Sequence, residues 1–308
     1  MSADLPFTGE RFIPGVPGEI WLEHWHRYHF AARWAAGKRV LDVACGEGYG
    51  SATLARHAAR VAGVDVSDAA IAHARAAYAD RANLEFAAAA CTRLPFPDAS
   101  FDTVVSFETI EHIDGQEAFL DEVARVLAPD GVFVLSCPNK VEYSDKRDYR
   151  NEYHVKELYR DELARLVAAR FPQVAWYGQR PTFYSVIAPE KEAGAAGELF
   201  EVADADPAAA ARALTYPLYF LLVASRSREA VAAVAPAVSV LADREDWMYQ
   251  DYAKVIRELR AAAARVAELE AQATAQGASL ETKQREIERR GGLRWWLRLP
   301  LQRLRILK

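Results

Sequence analysis

Val40-Leu41-Asp42-Val43-Ala44-Cys45-Gly46-Glu47-Gly48-Tyr49-Gly50 is an apolar run of strand length that enters a cluster of glycines and continues into a helical pattern. Glycines at such a junction let the backbone turn tightly and approach a ligand where any Cβ would collide. Their spacing narrows the ligand. A dinucleotide site reads G-x-G-x-x-G, with amides aimed at a pyrophosphate. Here the glycines are spaced G-x-G-x-G, and an acid, Asp42, stands inside the strand end. An acid aimed at that turn repels phosphate and suits a cationic amine. The next apolar run ends Val64-Asp65-Val66-Ser67, placing Asp65 where a carboxylate takes both hydroxyls of a ribose. The ligand implied carries an amine and a ribose and lacks a phosphate.

Outward from this junction, apolar runs alternate with helical patterns between residues 38 and 180, the signature of a parallel α/β sheet. Strands are expected at 39–44, 60–64, 84–88, 102–107, 131–136 and 173–179, with 218–225 as a seventh. Helices are expected at 49–59, 68–79, 116–127 and 155–169. The stretch 181–215, with Pro181, Pro189 and Pro207, is too long for a hairpin turn and reads as an insertion, a candidate substrate lid.

Four stretches in order, Val40 to Gly50, Gly63 to Ser67, Leu94 to Asp102 and Arg125 to Gly131, resemble the "VLDxGCGxG", "GVDxS", "LPFPDxSFD" and "RVLxPGG" motifs of class I S-adenosylmethionine-dependent methyltransferases of the type 11 branch. The resemblance covers residues 38–180. It implies a Rossmann-like seven-stranded sheet with helices on both faces, and S-adenosylmethionine as cofactor. Carried onto this chain, Asp42, Ala44, Gly46 and Gly48 hold the methionine part, Asp65 and Val66 the ribose, and Cys91 with Thr92 border the adenine, with Phe107 beside the sulfonium. One departure is visible: Ala90 stands where many relatives have an acid before the adenine segment. The segment Glu23-His24-Trp25-His26-Arg27-Tyr28 lies where such enzymes carry a helix that closes over the cofactor. Arg27 and Tyr28 are candidate contacts to the cofactor carboxylate, with solvated or core roles as the alternatives.

After the fourth strand the chain reads Phe107-Glu108-Thr109-Ile110-Glu111-His112, three side chains at i, i+3 and i+4 that can share one face of a helical turn. Farther on come Cys137-Pro138-Asn139 and Asn151-Glu152-Tyr153-His154. The pattern resembles that of small-RNA 2′-O-methyltransferases and, in its first half, quinone-pathway O-methyltransferases. By that resemblance Glu108, Glu111, His112 and His154 are metal ligands, with Glu111, His112 and His154 in catalytic roles and Mg²⁺ or Mn²⁺ as the ion. A Lewis acid that coordinates a poorly acidic hydroxyl helps form the attacking alkoxide. His112 as a metal-free general base, or as a structural residue, remains the alternative.

Composition bounds the rest. The 308 residues are 51% hydrophobic and 26% charged, which excludes wholesale disorder, and no apolar run reaches the about 18 residues of a spanning helix. MSADLPFTGE carries no basic and then apolar leader, so cytoplasmic residence is expected. Cys45, Cys91 and Cys137 are odd in number and lack CxxC spacing, which argues against a disulfide framework or structural zinc.

The net charge of −5 hides a partition. From Arg289 to Lys308 there are seven cations and no acid, leaving 31 cations against 43 acids before it, a net of −12. That balance argues against a long nucleic-acid footprint. Met248, Tyr252, Val255, Leu259, Ala262, Val266, Leu269, Ala273, Gln276, Leu280, Lys283 and Ile287 follow at alternating spacings of 4 and 3, a heptad seam expected to pair copies of the chain, or else to fold back on the domain. Beyond it, Trp and Leu interleave with Arg to Lys308, as in a segment lying at an anionic membrane surface, and Pro300 is expected to break any long helix there. Docking to a partner protein or to nucleic acid, or a disordered tail, are the alternatives.

The organisation expected is a cap over the cofactor at 1–37, a catalytic domain at 38–226, a linker at 227–243, a coiled coil at 244–290 and a basic amphipathic tail at 291–308. The front of the chain, "TGERFIPG…GEIWLEHWHRY", resembles methyltransferases associated with bacterial surface-polysaccharide synthesis. The function expected is O-methylation of a sugar hydroxyl on a surface glycan or lipid-linked sugar, at the cytoplasmic membrane face. A quinone or small-molecule O-methyltransferase, and a cofactor-binding scaffold without catalysis, are the alternatives.

Overall fold

The computed structural model describes residues 19–181, 214, 216–232, 238–241 and 247–304. The chain divides into two compact units, Met1–Arg244 and Glu245–Lys308.

In the first unit seven strands form one sheet: β1 (Arg39–Val43), β2 (Arg60–Asp65), β3 (Leu84–Ala88), β4 (Phe101–Phe107), β5 (Leu127–Pro138), β6 (Gln173–Gln179) and β7 (Tyr219–Ser225). Their order is β3-β2-β1-β4-β5-β7-β6. The first five pair in parallel, and β7 runs antiparallel between β5 and β6. Continuous apolar runs suit strands covered on both faces. Neighbours along a strand accordingly go to opposite cores. Leu41, Val43 and Val104 join Phe119, Leu120 and Phe133 on one face, while Val40 and Val105 join Tyr28, Phe30 and Leu54 on the other. Helices α1 (Glu19–Ala35), α2 (Tyr49–Leu54), α3 (Asp68–Ala77), α4 (Gln116–Val126), α5 (Lys140–Tyr143), α6 (Arg160–Ala168) and α7 (Arg228–Ala232) complete the unit. The strand order reverses between β1 and β4, and the crevice outside the strands' carboxyl ends at such a reversal is where open α/β sheets bind ligands.

The architecture is the expected one, with local departures that have physical causes. Helix α6 starts at Arg160 rather than at 155, because the amides of Val155 and Lys156 both donate to the Glu111 carbonyl. Glu162 then reaches back to the Tyr159 amide at 3.0 Å and caps the helix start. Strand β5 begins at Leu127, which pairs with Phe101 ahead of a register shift. Helix α2 stops at Leu54, five residues short of the expected end. The expected insertion lies outside the described residues except at 181 and 214, as do residues 1–18 of the cap, 305–308 of the tail and parts of the linker.

The second unit is a 45-residue helix, α8 (Trp247–Gly291), followed by α9 (Leu293–Arg303). At about 1.5 Å per residue α8 is about 67 Å long. Its seam residues Val255, Leu259, Val266, Leu269, Leu280 and Ile287 are exposed. The helical break falls at Gly291–Gly292 and not at Pro300, which α9 runs through.

Candidate active site

The β1–α2 junction builds a turn that depends on its glycines. Ala44, Gly46 and Gly48 all have positive φ, at 61°, 53° and 81°. At Gly48 a Cβ would stand 2.6 Å from the Phe86 ring, and at Gly50 only 1.9 Å from Tyr28, so both sites exclude a side chain. At Gly46 a Cβ would meet no atom within 4 Å, so the backbone there faces open space. The loop is held from β2: Asp65 accepts the Gly46 amide on Oδ2 and the Ser67 amide on Oδ1, both at 2.9 Å. Val66 beside it is exposed, and Cys91 and Thr92 are half-buried in the loop after β3.

Asp42 is fully buried, and its carboxylate is occupied within the chain. Ser51 Oγ donates to Oδ2 at 2.6 Å, and the Tyr28 hydroxyl reaches both oxygens at 3.2 and 3.3 Å. Burial pushes its pKa up to about 7 against the lowering effect of those two hydrogen bonds. Tyr28 also meets Phe107 edge-on with centroids 5.0 Å apart, so helix α1 is fastened to the glycine turn and to the end of β4.

Arg27 turns toward the β7–β6 edge at this same end of the sheet. Its buried guanidinium donates from Nε to Gln179 Oε1 at 2.7 Å, lies 4.3 Å from the Tyr219 ring centroid, and stands 3.6 Å from Glu108 and 4.0 Å from Glu23. Burial works against its charge, but Glu108 and Glu23 outweigh it and hold the pKa above its ordinary value. Arg27 thus joins α1 to β6, β7 and the segment after β4.

That segment holds the chemistry. Glu108, at φ 50°, accepts Ser136 Oγ at 2.7 Å and faces Arg27. The next turn, Ile110–His112, carries Glu111 to full burial with no hydrogen-bond partner for Oε1 or Oε2. Burial, and secondly Glu108, push the Glu111 pKa well up. Among the described residues Glu111, His112 and His154 place ligand atoms within 4.8 Å of one another. Glu108 lies outside this group, held by Ser136 and Arg27, so the structure brings together three of the four carried-over ligands.

The histidines are oriented by the chain. The His112 Nδ1 to Tyr153 carbonyl distance is 3.2 Å, which assigns the proton to Nδ1. His154 Nδ1 lies 2.7 Å from Glu157 Oε1, and the Asn151 amide donates to its Nε2 at 3.0 Å. Both rings therefore carry their lone pair on Nε2, with that of His154 accepting from Asn151. Tyr143 stacks on His154 at 5.5 Å, and the two imidazoles meet edge to face at 4.8 Å. Glu157, Asn151 and Tyr143, like Gln179 and Tyr219 around Arg27, escaped sequence reasoning. Only the His154-x-x-Glu157 spacing offered a signal.

Residues 41–135 match the family model described as a methyltransferase domain. The matched segment runs from β1 into β5 of the first unit. A "Probable S-adenosylmethionine-dependent methyltransferase" of Mycolicibacterium smegmatis is 44% identical over 173 residues, 54% of this chain and 65% of that protein. A relative of the same description from Mycobacterium tuberculosis is 41% identical over 184 residues, covering 57% of this chain and 65% of its own. The chain thus spans just under two thirds of the length of these curated relatives. A fatty-acid O-methyltransferase of Mycolicibacterium smegmatis is 41% identical over 113 residues, 35% of this chain and 41% of that protein. The solved YcgJ protein of Bacillus subtilis is 21% identical, with a TM-score of 0.46, over 66% of this chain and 100% of that chain.

Proposed function

We propose that this chain transfers a methyl group from S-adenosylmethionine to a hydroxyl oxygen, with the hydroxyl held beside Glu111, His112 and His154. The observation that carries the reading is the Glu111 carboxylate, fully buried, with no hydrogen bond on either oxygen and His112 Nε2 3.8 Å from Oε1. A buried neutral polar group left without a hydrogen bond costs on the order of 2–7 kcal/mol, and buried groups with strongly shifted pKa values gather where a ligand or reaction uses them.

The residues fit both groups the reaction requires. The open space beside the Gly46 backbone and the Asp65 carboxylate would take the cofactor, whose sulfonium supplies an electrophilic methyl group. Glu111 with the His112 and His154 imidazoles would be a donor set for Mg²⁺ or Mn²⁺ once Asn151 gives up His154 Nε2, and such an ion would supply Lewis acidity that makes a bound hydroxyl more acidic. The chain's own work is orientation and proton handling. Glu157 and the Tyr153 carbonyl orient the two imidazoles through their Nδ1 atoms. An Nε2 lone pair is also the acceptor for the hydroxyl proton as the new C–O bond forms. Arg27 neutralises Glu23 and Glu108, so these acids do not compete with Glu111 for a bound cation.

A vicinal diol presents two oxygens to such a group, which favours a sugar, and the resemblance of the N-terminal segment favours a surface glycan or lipid-linked sugar over a quinone. The exposed seam of α8 supports pairing with a second copy, read by sedimentation velocity of the full chain and of a Leu259→Glu variant. Methyl transfer from labelled S-adenosylmethionine to glycan, quinol and RNA fractions tests the reading, with chelator, with Mn²⁺ add-back, and with Mn²⁺ binding measured by calorimetry. Transfer to glycan that falls with chelator supports it. Cofactor binding without transfer to any acceptor overturns it in favour of a scaffold.

A further inference from the structure

Helix α9 separates its side chains into two arcs. Trp296, Leu297, Leu301 and Leu304 fall on one side at helical spacing and are 59%, 68%, 39% and 69% exposed. Trp295 and Leu299, one turn apart on the other side, are half-buried, with the Arg290 guanidinium 5.9 Å from the Trp295 ring centroid. The exposed arc is bordered by cations on both flanks: Arg294 and Arg298, an i, i+4 pair, follow Leu301 around the helix, and Arg303 stands next to Trp296.

From Arg289 to the end of the chain there are seven cations and no acid. We propose that this face docks on the anionic lipid surface of a bilayer, lying in the interface plane with Trp296 and the three leucines immersed and the arginines among the headgroups.

Three features select this occupant. The helix has 11 residues, about 16 Å at 1.5 Å per residue, against the about 30 Å of a hydrocarbon core. Among the described residues no helix is long and apolar enough to cross a membrane. The helix therefore lies on a bilayer and does not span one. The cation-only flanks complement an anionic surface over their whole length, and arginine stems reach from an immersed face to the headgroups while the guanidinium stays hydrated. A nucleic-acid surface would be met by the cations but would leave four apolar side chains in water. The inference concerns the second unit alone and stands whether or not the methyl-transfer reading holds.

The test is co-sedimentation of the full chain with vesicles of phosphatidylcholine alone and of phosphatidylcholine mixed with phosphatidylglycerol, at low and high salt. Two variants accompany it, Trp296→Ala/Leu297→Ser and Arg294→Gln/Arg298→Gln, with circular dichroism showing that each remains folded. The full chain is expected to sediment with the mixed vesicles, weakly with phosphatidylcholine alone, and less at high salt. Each variant is expected to lose about tenfold or more in partitioning, and the arginine variant to lose most of the salt dependence. No sedimentation with the mixed vesicles, or binding that neither variant weakens, overturns the proposal and leaves the face to a protein partner.

Discussion

Asp42 and Glu111 are two fully buried carboxylates at the same end of neighbouring strands, and their surroundings are opposite. Asp42 has a hydroxyl on each oxygen, from Ser51 and Tyr28, and ties the glycine turn to helices α1 and α2. Glu111 has no hydrogen bond on either oxygen and sits beside two imidazoles. Burial raises both pKa values, so the shift does not tell the two apart. The hydrogen bonds do. A satisfied buried acid is part of the scaffold, and an unsatisfied one is a site held ready at the expense of stability.

The sharpest way to break this comparison is to replace each acid by leucine. Glu111→Leu is expected to lower methyl transfer by about a thousandfold or more, while raising stability by about 1 kcal/mol because an unsatisfied group is removed. Asp42→Leu is expected to destabilise by about 2–4 kcal/mol, leaving two buried hydroxyls without their acceptor. Thermal unfolding read beside transfer checks both, and shifts of the same sign would dissolve the distinction.

The second test uses pH. Burial pushes the Asp42 carboxyl up to about 7 in the fold from its ordinary 3.8, so between those values the folded chain keeps a proton that the unfolded chain has released. Stability therefore falls as pH rises through that window, by up to about 4 kcal/mol from this group. Asp42→Asn is expected to flatten the slope in denaturant titrations at pH 4, 5, 6 and 7, whereas a slope that persists unchanged would assign it to other groups.

Smaller effects sharpen the Glu111 side. Glu157→Gln weakens the hold on His154 and is expected to cost about 10–100-fold in Mn²⁺ affinity, with the cofactor affinity unchanged. Glu108→Gln is expected to cost less than about tenfold in transfer, because Glu108 faces Ser136 and Arg27 and its amide can still accept from Ser136. A loss at Glu108 equal to that at Glu111 would put it back among the ligands.

The strands and the glycine turn were legible in the sequence because their signals are local: apolar runs bounded by turn residues, and glycines where a side chain would meet Phe86 or Tyr28. What sequence missed depends on long-range contact. The start of α6 is set by the Glu111 carbonyl, 44 residues earlier than Val155. Glu108 reads as a ligand from its spacing, but its positive φ and its Arg27 partner on α1 turn it elsewhere. The Gln179 and Tyr219 partners of Arg27 stand on strands distant in sequence, which no local pattern announces. The pairing of His112 with His154 came only through resemblance, since nothing local joins residues 42 positions apart. The tail shows the reverse error, in which a local rule about Pro300 lost to the Gly291–Gly292 pair as the helix breaker.

The most direct test of the central claim compares the full chain with Glu111→Leu in cofactor binding by calorimetry and in methyl transfer to an accepting glycan fraction. The account predicts unchanged S-adenosylmethionine affinity together with loss of transfer in the variant. Equal transfer by the two proteins would contradict it.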